Sequence, residues 1–233
     1  RDPRQVDYDT LTGMARRHNL EVPAIGTGQA WGEEKLSFTD PNPNVRQAAI
    51  DRIKSHIDGA SRLNAVIIIG LIHGGVATGV QPSQAMDWLI AALSECCQAA
   101  SLRGVRLALE PINHYETTLI NNIQQGLDLI EHVREDNLGL LLDTYHMNIE
   151  EADMLASIRL CAKRIFHFHV ADSNRHPPGG GYLDFKALLS ALAATGYQGY
   201  ISGEFMPVPD PLSAARENIA YLKPILDSIP KNG

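Results

Sequence analysis

The stretch Leu138–His146, LGLLLDTYH, sets four apolar residues and a glycine directly before an acid, a hydroxyl and an imidazole. Such a run is continuous rather than alternating, as expected of a parallel strand covered on both faces. Five further runs rich in apolar residues stand out, several of them also continuous: Glu21–Gly28 (EVPAIGTG), Ala65–Leu71 (AVIIIGL), Val105–Pro111 (VRLALEP), Ile165–Asp172 (IFHFHVAD) and Tyr200–Phe205 (YISGEF). Between them lie segments with helical periodicity. Val45–Leu63 carries Ile50, Ile53 and Ile57, and Ser83–Ala100 carries Met86, Leu89, Ile90 and Leu93. Ile123–Val133 carries Leu127 and Ile130. Phe185–Thr195 carries Phe185, Leu188, Leu189 and Leu192 and stops at Gly196, a suitable C′ glycine. Asp7–Asn19 is a leading helical candidate.

Regular alternation of strand and helix predicts a parallel α/β fold. No Gly-x-Gly-x-x-Gly or Walker-type loop follows a strand, which weighs against a nucleotide-binding doubly wound sheet. Polar residues instead close several different strands: Glu110, Asp143, His146, His169 and Glu204. That placement is the habit of the (β/α)₈ barrel. The strand starts at residues 21 and 200 are five units apart, about 36 residues each, so eight units need roughly 285 residues. The expectation is a single (β/α)₈ barrel domain over residues 1–233 with six strands present and a leading strand–helix–strand segment absent.

Composition narrows the function. The chain has 233 residues, 44% hydrophobic and 20% charged, with a net charge of −7. That balance disfavours nucleic-acid and anionic-membrane surfaces. The longest apolar stretch, Ala65 to Ile72, is far short of the roughly 20 residues of a transmembrane helix. Three cysteines, two of them adjacent (Cys96, Cys97, Cys161), form no disulfide framework, and a cytoplasmic chain is expected.

Glu110, Asp143, His169 and Glu204 offer three carboxylates and one imidazole at four strand ends. That donor set suits Mn²⁺, Mg²⁺ or Co²⁺ better than structural zinc. Without a cation, three acids in one place repel each other. Taken singly, each acid reads equally as a helix cap or surface ion-pair partner. Glu116, His146 and Arg175 fall in the same loops and are suited to hold oxygens. For Arg175 the plain alternative is an ion pair with Asp172 or a neighbouring acid. His167 is expected to point away from His169, as a core histidine. Gln29 and His73 are possible substrate contacts, with a turn or loop role as the alternative; Trp31 is weighed in the same way. Gly179–Gly181 reads as a turn rather than a phosphate cradle. Cys96 and Cys97 read as helix packing residues.

The motifs LALEP (107–111), LDTYHMNIEE (142–151) and FHFHVADSNR (166–175) with Pro177-Pro178-Gly179 resemble those of ketose 3-epimerases. These are the D-tagatose/D-psicose 3-epimerase group of the xylose-isomerase-like TIM barrels. Arg1-Asp2-Pro3, Ala24–Ala30 and Ile67–Leu71 resemble the 5-keto-L-gluconate (L-fructose) epimerase subgroup. The resemblance implies a divalent metal, usually Mn²⁺, on Glu110, Asp143, His169 and Glu204. It implies that Glu110 and Glu204 exchange the C3 proton of a ketose or keto-sugar acid on opposite faces, through a metal-stabilised cis-enediolate. It places Glu116, His146 and Arg175 at the O1–O2 end of the sugar. His114 stands where relatives often carry Arg, and Gly203-Glu204-Phe205 where Met or Val-Glu-Pro is frequent. Those differences bear on substrate identity. An aldose–ketose isomerase such as hydroxypyruvate isomerase, or an inosose dehydratase, is the alternative on the same site. The endonuclease relatives of this barrel use several zincs and a basic face, which the charge of −7 disfavours. An inactive fragment or binding relative is the non-enzymatic reading. A homo-oligomer is compatible with the resemblance.

Overall fold

The computed structural model describes residues 2–230; Arg1 lies outside the described residues. In chain order it contains α1 (Tyr8–Arg17), β1 (Ala24–Ile25), α2 (Gly28–Gly32), α3 (Pro43–Leu63), β2 (Val66–Ile69) and α4 (Pro82–Ser101). Then follow β3 (Leu107–Leu109), α5 (Ile123–Val133), β4 (Leu138–Asp143), α6 (Thr144–Glu150), α7 (Met154–Cys161), β5 (Ile165–Val170), α8 (Phe185–Ala194), β6 (Ile201–Gly203) and α9 (Pro211–Ser228). Each of the six apolar runs holds a strand. The five expected helices form, and Gly196 adopts a positive φ of 79° just past α8. The sequence reading did not anticipate α2, α6, α7 or α9.

All six strands are parallel and neighbour one another in chain order. Helix starts follow from local chemistry. Asp7, Asn42, Asn122, Asp153, Asp184 and Asp210 each accept a backbone N–H of the helix they precede, and Asn122 forms a capping box with Gln125. The main core lies between sheet and helices. Ile67, Ile69, Leu107, Leu109, Leu140, Leu142 and Phe168 meet Ile53, Leu89, Leu93, Ile130 and Leu188 there. Burying each such side chain contributes roughly 1.5–3 kcal/mol. Alternate residues face the other way, where Val66, Ile68, Ala108 and Leu141 form a smaller apolar cluster. Gly139 belongs to this inner surface; a Cβ there would collide with the Phe166 ring and the Arg164 carbonyl.

β2, β3 and β4 are buried throughout, whereas β1 and β6 are half-buried and pair on one side only among the described residues. The sheet nevertheless curls. Residues just beyond the C-terminal ends of the strands, from Gly26 after β1 to Glu204 after β6, line one cavity of about 120 Å³. Among the described residues no helix is long and apolar enough to cross a membrane. Cys96, Cys97 and Cys161 are unpaired and buried, and burial pushes the Cys97 and Cys161 thiols up to about 12.

Candidate metal centre

The cavity is built by a step of two residues along each strand. Ala108 leads to Glu110, Leu141 to Asp143, and Ser202 to Glu204, so each acid follows an inward-facing residue and inherits its direction. Glu110, Asp143 and His169 are buried, while the Glu204 side chain, beside the open edge, is 46% accessible. One ligand atom from each of these four lies within 4.8 Å of the others. His169 Nδ1 is 3.1 Å from Glu204 Oε2, 3.7 Å from Asp143 Oδ2 and 3.9 Å from Glu110 Oε1.

Asp143 has two tasks, one per oxygen. Its Oδ1 accepts the Tyr145 N–H at 2.7 Å and caps α6, while Oδ2 faces the cluster. Glu110 stands against Gly70, where a Cβ would come within 2.8 Å of Oε2. Its other oxygen, Oε1, is buried with no hydrogen-bond partner. Burial raises the Glu110 carboxyl well above its ordinary range, and the charges of Glu204 and Asp143 push the same way. Burial and the Glu204 charge lift Asp143 to about 7. Burial also acts upward on Glu204, but the hydrogen bond and charge of His169, with Asp143 and Arg175, bring it down to about 2. An orphaned carboxylate oxygen among three acids and an imidazole is a donor set short of a cation. Three oxygens and one nitrogen fit a divalent ion such as Mn²⁺ or Mg²⁺.

A polar chain borders the cluster. Arg175 donates to Glu116 Oε1 at 3.0 Å and stacks over the Tyr145 ring, 4.8 Å from its centroid. Asn113 Nδ2 donates to the same Glu116 oxygen at 2.9 Å and lies 2.8 Å from His146 Nδ1. His146 is buried, which lowers its pKa to about 4, and its Nε2 is 4.0 Å from Glu110 Oε1. Glu116, His146 and Arg175 therefore all line the cavity. Asn113 had no part in the sequence reading, since nothing in its spacing marks it.

Several expectations are corrected. His167 does not point away from His169. Residues two apart on a strand share a face, and the two rings stand edge to face with centroids 5.1 Å apart. His167 is a buried interior histidine, as expected in that respect, with Nε2 3.0 Å from Ser202 Oγ. Arg175 pairs with Glu116 rather than Asp172. Asp172 instead accepts the backbone N–H groups of Ser173, Gly179 and Leu183, so the glycine-rich turn spends its amides on this carboxylate. Gln29 is exposed on α2 and outside the cavity lining, although Gly26, Thr27 and Gly28 belong to it. His73 is fully buried behind the lining, with no hydrogen-bond partner on either ring nitrogen. Trp31 borders a separate cavity of about 340 Å³ that shares Leu71 and Glu116 with the first. His114 is exposed, outside the cavity lining, and pairs with Glu150.

Residues 1–225 match the model of the family described as Xylose isomerase-like TIM barrel, and the chain belongs to that family. It is 31% identical to a ketose 3-epimerase of Arthrobacter globiformis over 201 residues, 85% of this chain and 68% of that protein. It is 33% identical to an L-ribulose 3-epimerase of Mesorhizobium japonicum over 210 residues, 87% of this chain and 68% of that protein. A solved L-ribulose 3-epimerase superposes with a TM-score of 0.86 at 28% identity, covering 97% of this chain and 82% of that one.

Proposed function

We propose that the chain is a divalent-metal-dependent epimerase that inverts C3 of a ketose or keto-sugar acid. The coarser reading, an enzyme of the sugar epimerase and isomerase class, is supported by the family and by the 3-epimerase relatives. The observation that carries the finer reading is the placement of Glu110 and Glu204. They come from strands at different parts of the curled sheet and face one cavity, with His169 3.9 Å from one and 3.1 Å from the other. One carboxylate removes the C3 proton and the other delivers a proton to the opposite face. Neither then has to cross the sugar plane. Glu116, His146 and Arg175 bind and orient the O1–O2 end. Glu110, Asp143, His169 and Glu204 would hold the ion, Mn²⁺ first and Mg²⁺ or Co²⁺ as alternatives. When bound, it supplies Lewis-acid stabilisation of negative charge developing on the adjacent sugar oxygens. The reading treats the chain as one barrel domain acting in the cytoplasm, which the three unpaired, buried cysteines support.

The test is hydrogen–deuterium exchange in D₂O with Mn²⁺, followed by NMR over a panel of ketoses and keto-sugar acids. Exchange at C3 is expected, with Glu204→Gln lowering it by about 10²–10⁴-fold. No C3 exchange across the panel, with metal binding demonstrated, overturns the reading. Exchange confined to C1 and C2 indicates an aldose–ketose isomerase instead.

A further inference from the structure

Asn113, in the loop after β3, is 1% exposed, and its side chain meets partners whose roles cannot be interchanged. The Tyr115 backbone N–H, 3.0 Å from Oδ1, can only donate. The Glu116 carboxylate, 2.9 Å from Nδ2 and also receiving Arg175, accepts. Together they fix which way the amide faces: Oδ1 toward Tyr115 and Nδ2 toward Glu116. The same Nδ2 group then lies 2.8 Å from His146 Nδ1. The Asn113 backbone N–H approaches that ring nitrogen as well, at 3.4 Å. A nitrogen facing two donors accepts and carries no proton. That excludes both the Nδ1–H tautomer and the imidazolium, and leaves the ring proton on Nε2. Nε2 is the nitrogen on the cavity side, 4.0 Å from the orphaned Glu110 Oε1.

We propose that Asn113 is a positioning residue that makes His146 an obligate Nε2–H donor toward a substrate oxygen. Through Glu116 it also joins that donor to Arg175, so that the three groups holding the substrate keep one arrangement. Asn113 itself touches no reacting atom. The inference rests on the C3-epimerase reading only for the identity of the oxygen that His146 meets; the tautomer stands on the contacts alone.

The experiment is a two-bond ¹H–¹⁵N correlation spectrum of histidine-labelled protein with Mg²⁺ as a diamagnetic ion. The His146 signals are assigned by their loss in His146→Gln. The wild-type pattern is expected to be Nε2–H. Asn113→Asp, made together with Glu116→Gln so that no second carboxylate faces it at 2.9 Å, keeps the shape and the Tyr115 contact but turns an acceptor toward Nδ1, and against Glu116→Gln alone the pattern is expected to move to an Nδ1-protonated form. In turnover, Asn113→Asp should lower kcat by about 10²-fold, the scale of one lost oxyanion donor, with a smaller change in KM. In the His146→Gln background, where an amide donates without a tautomer, the same substitution should cost less than tenfold. A wild-type proton on Nδ1 overturns the proposal by itself, even if the variant fails to fold. An unchanged tautomer in the double variant overturns it too. The expected tautomers in a protein without C3 exchange uphold the positioning role and remove the epimerase reading.

Discussion

A step of two positions leads from Leu141 to Asp143, from Ala108 to Glu110, and from Ser202 to Glu204, and across that step the inner face of the sheet changes character. In the deeper set Leu141 and Ala108, with Val66 and Ile68, pack apolar surface and stabilise the fold, while Ser202 meets His167. The outer set gathers three carboxylates and an imidazole within 4.8 Å, where burial first and the neighbouring acids second raise the pKa of Glu110 and Asp143. Buried like charges cost stability unless a partner compensates them. The same strands thus build stability at one level and give some of it up at the next, where a cation would restore it.

The largest test of that division removes a charge from the outer set. Asp143→Asn retains an oxygen to cap α6 but loses the charge facing His169. At a Mn²⁺ concentration 100 times its Kd, the ion should stabilise the wild type by about 2.7 kcal/mol, a rise of roughly 5–10 °C in Tm. Asp143→Asn should show almost no such rise, and C3 exchange should fall by about 10³-fold or more. Without metal it should melt at or above the wild-type temperature, because one of three mutually repelling acids is gone. A metal-free Asp143→Asn protein that melts well below wild type would mean that the outer set is a structural network.

One step deeper, Leu141→Ala should cost about 2–5 kcal/mol, read from urea unfolding, through lost burial and the cavity left behind. The rise in Tm with Mn²⁺ should persist. If that rise disappears with Leu141, the two levels are a single unit.

Much of this was legible in the sequence, for a physical reason. Strands buried on both faces need unbroken apolar runs, and an acid that ends such a run stands out, as Glu110 and Asp143 do. α9 was not legible. Leu212, Ile219 and Leu226 are exposed and Pro224, a residue that disfavours helix, lies inside it, so its apolar residues trace no single buried stripe. α6 has only seven residues, and its cap is the acid already read as a ligand. His167 faces the same side as His169, because residues two apart on a strand share a face. Asn113 could not be found from spacing, since its role arises from contact with His146, 33 positions away.

A buried titratable group outside both sets shows whether burial alone explains the outer one. His73 has neither ring nitrogen hydrogen-bonded, and burial lowers its pKa to about 4. The unfolded chain takes up this proton near pH 6.5 and the folded one only near pH 4. Stability from this group is therefore intact above pH 6.5 and lost progressively as pH falls toward 4. Between pH 7 and 4.5 the wild type should lose about 2–3 kcal/mol more than His73→Leu in urea titrations. The rise in Tm with Mn²⁺ should be the same in both. Equal acid sensitivity of the two proteins would show that His73 protonates freely in the fold.

The smallest effect probes the junction between the two levels. Ser202 Oγ lies 3.0 Å from His167 Nε2, and the His167 ring meets the His169 ring edge to face. Burial, with the His169 charge, lowers the His167 pKa to about 4, so the hydrogen bond between Ser202 and His167 joins two neutral groups near pH 7. Ser202→Ala should then cost about 1 kcal/mol, the ordinary worth of one such hydrogen bond. Mn²⁺ affinity, measured by titration calorimetry, should change less than threefold if the deeper set only supports the fold. A tenfold loss of affinity would mean that Ser202 holds His167 and His167 in turn orients the His169 ring. Partners behind metal ligands have effects of 10–100-fold, so the measurement separates the two cases. The boundary between packing and chemistry would then lie one step deeper than Glu110 and Asp143, on β5 and β6 alone.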